Sequence, residues 1–367
     1  MREYVDGNAA IVRGAVAAGC TFFAGYPITP ASGILMAMMR ELPARGGVAI
    51  QGEDEIASIG MCIGAAMAGS RAMTATSGPG MSLMGENLGL AIMGEVPLVV
   101  VDVQRLGPAT GGATTVGQGD VQFARWGTPG GFPTIALAPT DAADAYRLTI
   151  RAFELADRFR CPVVLLTDKE VATTLTTVDA AAFAPVAVVE RELATAGAPY
   201  RYAPAADVPA LRRYGAGDAF RFTGSTHDER AMITKDRPTV DALNRHLAAK
   251  VEKHVEELTL VELDWQPGAR TLVVSYGVTA GAARAAVEAA RQRGRAVASL
   301  VIRSLWPVPE AAIRAALGGI ERVIVPELNL GQYRREIERL TGDREVIGVN
   351  RVDGDLIGLE EILEAVG

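Results

Sequence analysis

The chain has 367 residues, 49% of them hydrophobic and only 5% aromatic, with 40 Gly and 19 Pro scattered along it. Thirty-six basic residues against 43 acidic ones leave a net charge of −7, which argues against a general nucleic-acid binder. The opening "MREYVDGNAA" has no apolar signal core and no apolar run reaches membrane-spanning length, so no membrane contact and a cytoplasmic location are expected.

The pattern predicts a helix over 7–18, a short strand "TFFAG", and the loop "YPITPAS". In that loop Thr29 and Pro30 read as an N-cap and first-turn pair, ahead of a helix carrying Ile34, Leu35, Met38, Met39 and Leu42 at helical spacing. Thr29 is equally open to a second use, with its hydroxyl turned to a ligand. The strand "VAIQ" follows, then a long helix on which Ile56, Ile59, Ile63 and Met67 share a face. "RAMTATS" reads as a strand, "GPG" as a tight turn and "MSLMGENLGLAIMG" as a helix, after which "PLVVVDV" has the near-continuous apolar run of a strand covered on both faces. "TIALA", the helix 141–160 and "PVVLLTD" complete the alternation. Strand, crossover helix and strand in this rhythm mean a doubly wound α/β domain, set at residues 1–190. Residues 170–235 break the rhythm, so 191–258 is expected to be an extended connector ending in a helix from about Thr239. The rhythm returns over 259–367, predicting a second, smaller α/β domain.

Cys20, Cys62 and Cys161 lie among small or apolar residues, without a CxxC or metal-ligand spacing. With only three histidines besides, no metal site is expected in this chain and it cannot supply a four-cysteine cluster. In open parallel sheets ligands collect at the carboxyl ends of strands, and four loops qualify: 26–32, 51–55, 77–80 and 104–120. In "QGEDEIASIG" the acids Glu53, Asp54 and Glu55 complement a helix dipole, or one of them meets a ring nitrogen of a heterocycle. "TATSGPGMS" is glycine-rich but lacks the Lys of a P-loop. The loop 104–120 is long, glycine-rich and begins at Arg105, which either faces solvent or binds an anionic carboxylate.

Together, "GYPITPAS", "EDEIASIGMCIGAAMAGSRAMTATSGPGMSLM" and "QRLGPATGGAT" resemble the alpha subunit of the 2-oxoacid:ferredoxin oxidoreductases, nearest the 2-oxoglutarate type. "TGSTHDERAMIT" and "PELNLGQYRREI" extend the resemblance over nearly the whole chain. It implies a thiamine-diphosphate pyrimidine-binding domain followed by a transketolase C-terminal-like domain. The implied activity is oxidative decarboxylation of 2-oxoglutarate with coenzyme A to succinyl-CoA, with ferredoxin reduced. A beta subunit would carry the diphosphate-binding half, Mg2+ and a 4Fe-4S cluster, in a heterotetramer of two alpha and two beta chains with room for extra subunits. The absence of a GDG motif followed by Asn agrees with this, since "VDGD" at 352–355 lies too near the end.

Carried over by motif position, Glu55 would be the catalytic glutamate on the aminopyrimidine ring, with Glu53 still open. Tyr26, Pro27, Ile28, Ser77 and Gly78 would bind the cofactor. Thr29 would hydrogen-bond the 2-oxoacid and Arg105 would pair with its carboxylate. Rival expectations are the same class acting on pyruvate, a branched-chain or an aryl 2-oxoacid, and a non-catalytic assembly subunit. A free-standing decarboxylase lacks its diphosphate half here.

Overall fold

The computed structural model describes residues 1–217 and 219–367. Its larger sheet has seven strands in the order Ser304–Trp306, Ile135–Leu137, Pro162–Asp168, Leu98–Gln104, Ala72–Thr76, Phe22–Gly25, Val48–Gln51. All neighbours run parallel except Ser304–Trp306, which pairs antiparallel with Ile135–Leu137. The central strands are the apolar runs of the sequence. Every residue of Leu98–Gln104 and of Pro162–Asp168 is buried, as helices on both faces require. Each fully buried Val or Leu there contributes about 1.5–3 kcal/mol of hydrophobic stabilisation before entropy is counted.

Phe22–Gly25 is flanked by Val48–Gln51 on one side and Ala72–Thr76 on the other, so the chain reverses its winding there. That reversal opens a crevice at the carboxyl ends of the strands, where the loops 26–31 and 77–80 leave in opposite directions. The smaller sheet has five strands, Val261–Asp264, Val297–Ile302, Thr271–Ser275, Arg322–Glu327 and Glu345–Asn350, with only the first antiparallel. Its own reversal, at Thr271–Ser275, turns the loop 328–333 toward the first sheet.

Several local expectations change. The helix after "YPITP" is Ser32–Glu41, with Ala31 at its N-cap and no side-chain cap, so Thr29 does not start it. The Thr29 carbonyl is taken by Arg105, and the Pro30 carbonyl accepts from Asn8 Nδ2 at 3.3 Å, which holds these residues in the preceding turn. "GPG" is the first turn of the helix Gly78–Met93 rather than a turn before it, since Pro needs no N–H partner there. Ile56 is 47% exposed, while Ile59, Ile63 and Met67 are buried. Ser304–Trp306, within the expected second domain, closes the edge of the first sheet, and Trp306 Nε1 donates to the Val121 carbonyl at 2.9 Å.

The connector contains short pieces of structure, including strands Leu193–Ala194 and Leu211–Arg212, and is held by buried charge. Glu95 Oε2 accepts from Lys250 Nζ at 2.9 Å and meets His246 Nε2 at 3.0 Å, both on the helix Arg237–Glu252. His246 Nδ1 lies 2.7 Å from the Ala205 carbonyl and its ring stacks on Tyr202. Arg160 donates to the carbonyls of Glu95, Pro199 and Pro209. Four buried side chains thus tie helix and connector to the larger sheet.

Candidate active site

The site is built at the winding reversal. Asp54 caps the helix Glu55–Met67 by accepting from Ala57 N at 2.7 Å, which accounts for one of the three acids. Glu53 is exposed, but Glu55 is only 4% exposed and turns inward. Its carboxyl lies against Gly80 in the first turn of Gly78–Met93. A Cβ at Gly80 would collide with Thr76 Oγ1 and fall 2.6 Å from Glu55 Cγ, so only glycine lets the helix approach this closely. No described residue hydrogen-bonds the Glu55 carboxyl. Ser77, at the N-cap of the same helix, is fully buried and its Oγ has no partner.

Arg105 follows the buried strand Leu98–Gln104 and is 7% exposed, so it is not a surface arginine. Its Nη1 donates to the Thr29 carbonyl at 2.7 Å, while Nε has no partner. The Thr29 side chain itself is exposed at the rim, beside Tyr26 at 38% exposure and half-buried Ile28. The chain therefore brings Thr29 and Arg105 together through backbone, leaving hydroxyl and guanidinium available. Pro27 is exposed in the same loop.

Arg105, Gly78 and Asp120 line a cleft of about 570 Å³, shared with Leu328, Asn329, Gln332 and Val352 from the smaller domain. The sequence singled out the loop 104–120 but not Asp120. Its carboxylate packs against Gly78, where a Cβ would lie 2.9 Å from Oδ1. Burial pushes the Asp120 carboxyl up to about 6, against the pull of Arg105. Glu55 packs on Gly80 and Asp120 on Gly78, in one helix turn, while Arg105 is held by the Thr29 carbonyl.

The far wall is fixed by amides. Gln118 N donates to the Leu328 carbonyl at 2.9 Å and Leu328 N returns to Gln118 Oε1 at 3.1 Å. Asn329 Nδ2 donates to the Gln118 carbonyl at 2.7 Å, and Gln332 Nε2 to that of Gly119 at 2.6 Å. Residues of "PELNLGQY" thereby position the loop that carries Arg105 and Asp120. Gln118 and Asn329 could have been suspected from their unusual place in glycine-rich turns, but nothing local said that they pair.

The three thiols take no part. Cys20, Cys62 and Cys161 are buried, and burial pushes Cys20 up to about 12 and Cys161 up to about 11. Among the described residues no group of three or more His, Cys, Asp or Glu side chains could hold a metal, and no helix is long and apolar enough to cross a membrane.

A doubly wound sheet with a buried free carboxyl at its winding reversal and a second α/β sheet closing the cleft is the build of a cofactor-binding α/β enzyme subunit. Residues 13–245 match the family model described as pyruvate flavodoxin/ferredoxin oxidoreductase, thiamine diP-bdg, and residues 269–362 match core domain II of pyruvate:ferredoxin oxidoreductase. The chain belongs to this 2-oxoacid:ferredoxin oxidoreductase family.

Among curated proteins it is 40% identical to the 2-oxoglutarate synthase subunit KorA of Methanocaldococcus jannaschii, over 99% of each chain. It is 36% identical to the ketoisovalerate oxidoreductase subunit VorB of Methanothermobacter thermautotrophicus, over 99% of this chain and 97% of that one. Among solved structures it superposes on 2-oxoglutarate:ferredoxin oxidoreductase from Magnetococcus marinus, with 2-oxoglutarate, coenzyme A and succinyl-CoA bound, at a TM-score of 0.92 and 32% identity. That match covers all of this chain and 64% of the other.

Proposed function

We propose that this chain is the alpha subunit of a 2-oxoglutarate:ferredoxin oxidoreductase, which turns 2-oxoglutarate and coenzyme A into succinyl-CoA and carbon dioxide while reducing ferredoxin. The observation that carries the reading is the gathering at the winding reversal of buried Glu55 on Gly80 and of Arg105 on the Thr29 carbonyl, in a chain 40% identical end to end to a 2-oxoglutarate synthase subunit. Residues 1–190 form the pyrimidine-binding domain, 191–258 the connector and helix, and 259–367 the domain that closes the cleft.

The residues present fit thiamine diphosphate. A buried carboxyl, and a buried hydroxyl without a partner among the described residues, flank a helix start where glycine leaves room. Glu55 would hold a proton toward a ring nitrogen of the pyrimidine. Tyr26, Pro27, Ile28, Ser77 and Gly78 would line the ring and exclude water from it. When bound, the cofactor supplies a nucleophilic carbon and an electron sink for decarboxylation.

Arg105 is fixed by Thr29 at one nitrogen and keeps others for the substrate's carboxylate, which suits its planar fork. The Thr29 hydroxyl, unused by any helix, can donate to the keto oxygen. Substrate orientation and charge balance are therefore the work of this chain's own residues. A beta subunit would supply the diphosphate half with Mg2+, the 4Fe-4S cluster and the path to ferredoxin, in a heterotetramer of two alpha and two beta chains within the cytoplasm. Coenzyme A enters as the second substrate.

The test is an anaerobic assay of the chain assembled with its native partner, following reduction of a low-potential dye with coenzyme A and a panel of 2-oxoacids. Faster turnover of 2-oxoglutarate than of pyruvate, 3-methyl-2-oxobutanoate or phenylpyruvate is expected. Preference for the branched-chain acid would move the substrate toward that of the VorB relative. Loss of all thiamine-dependent activity would instead make this a non-catalytic subunit.

A further inference from the structure

Asp102 lies within the strand Leu98–Gln104, fully buried, and neither of its carboxylate oxygens has a hydrogen-bond partner among the described residues. Gln104, two residues further along the strand and on the same face as Asp102, accepts from Asp120 N through Oε1 at 3.1 Å, which sets Asp120 beside Asp102, and Asp120 Oδ2 is also buried without a partner. Neither acid forms an ion pair among the described residues; Arg105 acts on Asp120 through its charge, while its Nη1 donates to the Thr29 carbonyl. Two adjacent buried carboxylates without neutralising bonds do not both ionise at neutral pH. We infer that Asp120, backed by Asp102, makes the anion site at Arg105 proton-linked, so that a carboxylate substrate binds there with uptake of a proton into the acid pair.

The charge arithmetic gives the direction. With both acids ionised, one guanidinium faces two negative charges, and an arriving carboxylate is repelled. One proton on the pair neutralises the group, and a second leaves it attractive to an anion. A bound carboxylate in turn strengthens the hold of the pair on its proton, by reciprocity of linkage. Burial raises both acids, Asp102 well above the carboxylate range and Asp120 up to about 6. Their proton losses belong to the pair rather than to either residue. Affinity for the anion is therefore highest below about pH 6 and falls by up to about tenfold per pH unit above it.

The other titratable groups around the pair do not replace this role. Arg105 is on the same loop, and Glu55 lies beyond Gly80 on the neighbouring helix start. Asp168 ends the adjacent strand and is occupied by Val171 N, Val278 N and Gln118 Nε2. Glu327, across the cleft, accepts from Tyr276 Oη and from the backbone of Tyr333 and Arg334. The first turn of Gly78–Met93 and the facing Asn329 and Gln332 carry no titratable group. Asp120 is a positioning residue in this scheme, acting on substrate through the charge at Arg105.

The inference rests on the role of Arg105 proposed above, and one experiment separates the two. Oxalate, an anion with no ketone carbon to react, is titrated calorimetrically into the thiamine-loaded, partner-assembled enzyme in two buffers of different ionisation enthalpy. The expected result is a buffer-dependent heat equal to uptake of close to one proton at pH 7, with affinity falling from pH 6 to 8. Asp120→Asn is expected to abolish the uptake and flatten that pH profile, and Asp102→Asn to reduce both. The unaltered enzyme alone tests the uptake should a variant fail to assemble. Binding that is lost in Arg105→Ala but shows no proton uptake in the unaltered enzyme overturns the linkage and leaves the anion site standing. Uptake retained in both Asp variants overturns it as well. Oxalate binding that is absent, or unchanged by Arg105→Ala, overturns the role of Arg105 and the linkage with it.

Discussion

Glu95 and Asp102 are both fully buried acids of the larger sheet's surroundings, yet their neighbours treat them differently. Glu95 is met by Lys250 and His246, with Arg160 close by, and the result is a clamp. Burial pushes its carboxyl up, but Lys250 foremost, then His246 and Arg160, outweigh burial and hold it below the usual carboxylate range. Asp102 has no such company and stands raised beside Asp120. Buried charge that is fully answered by protein holds elements together, while buried charge left unanswered waits for something else. The second kind lies at the strand ends, where Ser77 Oγ and Arg105 Nε are also without partners among the described residues.

The largest effect that would sharpen this contrast is on chemistry. Glu55→Gln in the assembled enzyme should lower kcat by about 10²–10⁴-fold, the range for a positioned proton-transfer group, without lowering the denaturant midpoint. An active Glu55→Gln enzyme would put Glu55 with the structural acids. In the clamp the effect should be on stability alone. Lys250→Met removes the first counter-charge of Glu95 and should cost about 3 kcal/mol in chemical unfolding, because a buried carboxylate is left with only His246 and Arg160 to answer it.

The same clamp predicts an acid limb. The Glu95 carboxyl binds its proton more weakly folded than unfolded, so its contribution to stability is present above the ordinary carboxylate range and lost as pH falls through and below it. Urea unfolding from pH 6 to 3 should show that loss, and Glu95→Gln should be less stable at pH 6 with a flatter decline. The smallest effect is at the rim. Thr29→Val should raise KM for the 2-oxoacid by about threefold to tenfold, the worth of one hydrogen bond, with helicity by circular dichroism unchanged. A fall in helicity would mean that Thr29 caps the helix Ser32–Glu41 after all, against the geometry of Ala31.

Much of the larger sheet was legible because its strands are short apolar runs separated by helices of clear period. "VAIQ" and "PVVLLTD" coincide with their strands. Glu55 was preferred to Glu53 from motif position alone, and its burial shows the physical difference between them. The capping of the next helix by Ala31 was not legible, since it depends on Arg105 and Asn8 reaching the loop from distant segments. Asp102 was hidden in "PLVVVDV", where a single acid in a buried strand gives no sign of what faces it. Asp120 reads as a loop residue until the fold sets it on Gly78. The strands Arg2–Val5, Val261–Asp264 and Ser304–Trp306 were missed because their polar residues break the apolar pattern and only pairing makes them strands.

The last of these strands has a consequence for how the gene can be divided. Two family models meet in this chain like beads, one ending at residue 245 and the next starting at 269. The beads are nevertheless stitched, because Ser304–Trp306 from the second covers the open border of the first and anchors there through Trp306. A fragment stopped at residue 258 would bare the backbone of Ile135–Leu137, three buried residues at an uncovered border that would pair with any passing strand. Shuffling the two halves between relatives therefore means carrying the stitch along, and the exchangeable unit is the whole fold.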